Sequence, residues 1–128
     1  MMSDIESAIS SSNNFWPHAV LAGHVHNYER YTRVVGNMEI PFVIAGSGGN
    51  DVTKMRKAPG NKTIRAPSNG IDATLERYFA DYGYLRIVAT AELLTIEFHD
   101  ASTGLDSKSP ADVCTVDLQS RTLSTSHA

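Results

Sequence analysis

Apolar and polar positions alternate most clearly in the C-terminal half of the chain. Leu94, Ile96 and Phe98 interleave with Thr95, Glu97 and His99, the period of a half-buried strand, and this places His99 on the outward face. Residues 84–90 are also β-rich and join 93–99 through a tight connection at Ala91-Glu92. Residues 113–118 read as a last strand. An earlier hairpin is predicted from residues 32–35 and 38–44 around the two-residue turn Gly36-Asn37. The apolar run Ala19, Val20, Leu21, Ala22 reads as a buried strand, entered at Pro17 after the core candidates Phe15 and Trp16. Helical spacing shows in two places. Ile5, Ala8 and Ile9 follow a capping-box pattern from Ser3 to Glu6, with residues 10–14 as the stop, and Leu75, Tyr78, Phe79 and Tyr82 predict one or two turns within 73–82. One helix and about six strands, mostly antiparallel, make an α+β fold. The segment from 119 to 128 is expected to be a flexible tail.

Composition narrows this picture. At 128 residues the chain suits one domain with a modest core, expected over 1–118. With 41% hydrophobic and 20% charged residues it has an ordinary globular make-up. A net charge of −3 argues against nucleic-acid and membrane-surface partners. No stretch is long and apolar enough for a membrane span, and the start does not resemble a secretory signal, so the compartment stays undetermined. The single cysteine, Cys114, excludes an intrachain disulfide and reads as a buried, inert thiol. Between 51 and 72, Lys54, Arg56, Lys57, Lys62 and Arg65 gather among turn-forming residues. This is either a solvated loop, the preferred reading, or a lid drawing an anionic substrate.

The chemistry lies in Gly23-His24-Val25-His26-Asn27-Tyr28-Glu29-Arg30. Two imidazoles one residue apart after a buried strand are candidate metal ligands, His24 and His26. The alternative is a pair of loop histidines bonded to backbone. His18, at the far end of the strand, reads as an edge or surface residue outside their site. Asn27 can orient an imidazole or kink the backbone, and Tyr28 can pack beneath the loop. Glu29 and Arg30 either pair to hold the loop, the preferred role, or let Arg30 meet phosphate oxygens. Further on, Gly48, Gly49 and Asn50 sit in a glycine-rich turn that either presents N–H groups to phosphate or is required by packing. Without a Lys-Ser/Thr ending it is not a nucleotide P-loop.

The string from Gly23 to Arg30 resembles the last signature of the calcineurin-like metallophosphoesterases, in their purple-acid-phosphatase branch. Pro41 to Asn50 resembles the strand and glycine loop that follow it, and Tyr82 to Ile87 the closing strand. The family's D-x-H, G-D and G-N-H motifs do not occur here. The resemblance therefore implies the C-terminal portion of the family's layered β-sandwich, with the N-terminal half missing. It implies a binuclear-metal phosphatase acting on phosphate esters, with iron beside zinc, manganese or a second iron, His24 on one ion and His26 on the other. Such ions generate a metal-bound hydroxide and stabilise charge on the attacking and leaving oxygens. Stable ion sites use three or four protein ligands, so the chain by itself is expected to bind metal weakly and to be inactive. An alternative makes it a non-catalytic binding module that completes a site with a partner chain or as a homodimer, using the sheet edge left by the missing half.

Overall fold

The computed structural model describes residues 2–49, 51–54, 63–65, 72–101 and 109–126. Helix α1 (Met2–Ser11) is followed by β1 (Val20–Ala22), β2 (Tyr28–Val35), β3 (Met38–Ala45), β4 (Thr63–Arg65) and β5 (Asp72–Phe79). Then come β6 (Gly83–Ala89), β7 (Leu93–Asp100), β8 (Asp112–Asp117) and β9 (Leu123–Ser126). A first sheet has the order β1-β3-β2-β5-β4 and a second the order β6-β7-β8-β9. All pairings are antiparallel except β1 with β3, which is parallel. Two mostly antiparallel sheets with one short helix agree with the α+β expectation. Among the described residues no helix is long and apolar enough to cross a membrane.

The two hairpins read from local pattern form as expected. In the first, Gly36 adopts φ 60°, the left-handed value that a two-residue turn needs at its first central position. The α1 stop has the same kind of cause. Asn13 and Asn14 take φ 57° and 59°, and Asn14 N–H reaches back to Ile9 O at 3.0 Å. The helix begins at Met2, one residue before the Ser3 expected to cap it, and Glu6 pairs with Arg33 on β2.

Strand register assigns the faces. Tyr28, Arg30, Val43 and Ala45 point towards the second sheet, whereas Arg33, Ile40, Phe42 and Leu75 share the opposite face, where Glu6 anchors α1. The core between the sheets gathers Tyr28, Val43, Ile96 and Phe98, all nearly inaccessible. Tyr28 and Phe98 stack at 4.2 Å, with Phe79 at 5.6 Å from Phe98. Strand β3 runs across the second sheet from edge to edge. Glu39 near its start bonds Arg121 and Leu123 beside β9, and Ser47 just past its end accepts from Gly83 N–H of β6. The strands of the two sheets therefore cross.

Several expectations fail for physical reasons. Residues 73–82 are not helical: β5 pairs with β2 along 73–79, with a register shift that leaves Glu76 as the extra, exposed residue. The spacing of Leu75, Tyr78 and Phe79 mimicked a helix because that bulge breaks the strand's period. The tail expected from 119 contains β9, whose ladder to β8 runs from Val116–Leu123 to Val113–Ser126. Within 51–72, Thr63–Arg65 is a strand; Arg56, Lys57 and Lys62 lie outside the described residues. Phe15 is 71% exposed, and Trp16 is half-buried under the Arg33 guanidinium at 4.6 Å from its ring. The β1 strand is only partly covered, with Leu21 47% exposed at the sheet edge. His99 does lie opposite Phe98, but it is buried: Tyr84 stacks on it at 5.1 Å and Glu97 meets its Nε2 at 3.0 Å.

Cys114 is fully buried, and loss of hydration pushes its thiol from the ordinary 9.0 up to about 11. The Tyr28 phenol is raised above its ordinary 10.0 by burial first and by the nearby Asp112 carboxylate second. Both groups are neutral when protonated, and the folded protein holds their protons to higher pH than the unfolded chain does. Their contribution is complete below about pH 9 and lost as pH rises towards and beyond about 11. Thermal melts across this range should show a falling midpoint, and Cys114→Ala should flatten the first part of the fall.

Candidate functional site

The ends of β1 and β3 lie side by side because the two strands run parallel, so the loops leaving them emerge together. The β1–β2 loop, 23–27, is wound by two successive three-residue turns: Val25 N–H to Gly23 O at 3.1 Å and Asn27 N–H to Val25 O at 2.9 Å. The winding forces His24 to φ 78°, an unusual value for a residue with a β-carbon. Its imidazole is exposed, and that of His26 is half-buried. The loop after β3 clasps this one. Gly46 N–H donates to Asn27 O at 3.1 Å, and Thr53 N–H donates to His26 O at 2.8 Å.

Gly46 explains how close the two loops come. A β-carbon there would lie 2.2 Å from Val25 O and 3.3 Å from His24 N. Of the two readings of the glycine-rich turn, packing accounts for this glycine. Gly48 and Gly49 are exposed with open space around their α-carbons, and Asn50 lies outside the described residues.

His26 Nδ1 is 3.1 Å from Asp51 O. With the proton on Nδ1 this is a donated hydrogen bond that fixes the ring and leaves Nε2 with its lone pair, the arrangement common behind a metal-bound imidazole. Asn27 is buried, and its Nδ2 donates to Glu29 Oε1 at 2.9 Å and Thr53 O at 3.3 Å. It therefore ties the two loops together and does not touch either imidazole by a described bond.

Glu29 and Arg30 do not pair with each other. They are adjacent in a strand and point to opposite faces. Glu29 accepts from Asn27 and from Tyr31 Oη at 2.5 Å; burial first, and this bond second, raise the Tyr31 phenol. Arg30 turns into the space between the sheets, 1% exposed, and forks onto Asp112 with Nε–Oδ2 at 2.7 Å and Nη2–Oδ1 at 3.0 Å. Tyr28 Oη donates to the same carboxylate at 2.7 Å, and Arg77 Nε stands 3.7 Å from its other oxygen. Both strand residues thus serve the scaffold beneath the loop. Asp112, Arg77, Asp51 and Thr53 carry no local sequence signal: the partners named here are 25 or more positions away.

Among the described residues no group of three His, Cys, Asp or Glu could hold an ion. The donor set offered here is two imidazoles, short of the three or four ligands that a stable site uses. The chain's described residues therefore do not fit a resident binuclear centre by themselves.

No family model, curated protein or solved structure matches this chain.

Proposed function

We propose that this chain carries the last metal-ligand motif of a metal-dependent phosphoric-ester hydrolase of the acid-phosphatase type. His24 and His26 each contribute one imidazole, and the remaining ligands come from outside the described residues. The observation that supports this most is the clasped loop pair. It holds His26 through Nδ1 on a backbone carbonyl, it keeps His24 in a left-handed conformation with its ring in solvent, and it rests on a strand end. Strain retained at an exposed histidine fits a functional demand better than a packing one. By the motif's resemblance the ions would be iron with zinc, manganese or a second iron, and the substrate a phosphate ester.

The test is competition with a metal-sensitive dye for zinc and manganese. The chain should bind more weakly than a full four-ligand structural site, and His24→Ala with His26→Ala should abolish that binding. Equal binding by the native chain and the double variant would remove these residues from the proposal. A phosphomonoester assay with added iron, zinc or manganese should show no turnover. Turnover abolished by His24→Ala would show that this chain alone suffices.

A further inference from the structure

Strand β6 is one of the two edge strands of the second sheet, with β9 at the other edge. Its hydrogen-bond phase follows from its two ends, where Thr90 N–H donates to Leu93 O at 2.9 Å and Ala101 N–H donates to Tyr82 O at 2.8 Å. Bonded and non-bonded pairs alternate in an antiparallel ladder. Tyr84, Arg86 and Val88 therefore turn their backbone groups towards β7, and Leu85, Ile87 and Ala89 turn theirs outward. Gly83 agrees with this phase, since its outward N–H is the one that reaches Ser47 O.

From Leu85 to Ala89 the outer edge has no neighbouring strand among the described residues. Natural edges are blunted by lysine, proline, bulges or shortness. This one keeps an unbroken register from Gly83 to Ala89 and has none of those devices. Its one ionised side chain, Arg86, is engaged by Glu97 at 3.0 Å, and the apolar Ile87 and Val88 beside it are 45% and 38% exposed.

We propose that β6 pairs antiparallel with β6 of a second copy of this chain, about a two-fold axis centred on Val88, so that the two second sheets become one continuous sheet. Charge selects the register. Centring on Arg86 sets guanidinium against guanidinium, and centring on Ile87 leaves the two on a close diagonal. Centring on Val88 places Arg86 opposite Thr90 of the other copy, with the exposed Glu92 of that copy on the diagonal, and repeats the attraction by symmetry. The same register sets Ile87 against Ala89 and uses the outward N–H and C=O groups of both. This pairing does not depend on the metal reading.

Sedimentation velocity over a concentration series should show a monomer–dimer equilibrium. Val88→Lys, which sets two ammonium groups face to face, should weaken it about tenfold or more with an unchanged circular dichroism spectrum. Val88→Cys should give a disulfide-linked dimer on mild oxidation, because a non-bonded pair brings α-carbons to about 4.5 Å. Thr90→Cys should not, since its two copies would stand roughly 13 Å apart along the strands. Cys114, fully buried, does not compete. A monomer at every concentration, a dimer indifferent to Val88→Lys, cross-linking at 90 but not at 88, or an edge filled only by an added peptide would each overturn the proposal.

Discussion

Replacing Asp112 with alanine is expected to cost about 3–5 kcal/mol, the range for removing one partner of a buried ion pair. The carboxylate is fully buried and receives the Arg30 fork and the Tyr28 hydroxyl. Without it a guanidinium that is 1% exposed has no counter-charge, and the phenol loses its acceptor. A chain of this size has a total stability of about 5–15 kcal/mol, so the variant should be largely unfolded or melt far below the parent. Urea denaturation followed by circular dichroism measures the loss. Arg30→Met combined with Asp112→Leu should be milder than Asp112→Ala alone, because no charge is then left stranded. If Asp112→Ala retained parental stability, the latch between the sheets would have no energetic role.

Gly46→Ala is expected to act on the loop pair. Its methyl group would meet Val25 O at 2.2 Å, a backbone atom that cannot swing aside. The clasp must open, with loss of the Gly46–Asn27 bond and displacement of His24 and His26. Overpacking of this kind costs about 1–3 kcal/mol, and the metal affinity attributed to the imidazoles should fall with it. Gly48→Ala, placed in open space, is the matched control and should change neither quantity. Heteronuclear NMR shifts at residues 23–27 would locate the effect.

The elements legible in the sequence are those whose cause is local. The turn at Gly36-Asn37, the α1 stop at its asparagines and the alternation of Leu94, Ile96 and Phe98 each declare themselves within a few residues. Strand β5 does not, because the bulged Glu76 breaks its period, and β9 does not, because β8 supplies the partner for a short polar segment. The imidazole loop is legible in its motif, but its support is not. Asp51 and Thr53 hold it from across the gap between two strand ends, and Arg30 is held by Asp112, 82 positions away. The alternation puts His99 on the outward side of its strand, yet the ring of Tyr84 closing over it comes from a neighbouring strand and leaves no trace in the alternation itself.

The reach of the Asp112 latch bears on the order of events during synthesis. A nascent chain has made all of the first sheet's strands before residue 112 leaves the ribosome, and until then the Arg30 guanidinium must stay hydrated. The face that bears it cannot dry out early, so closure of the sandwich waits for the second half of the polypeptide. Premature collapse of the N-terminal strands onto a wrong apolar surface is opposed by the unneutralised charge of Arg30 and of Arg77 beside it.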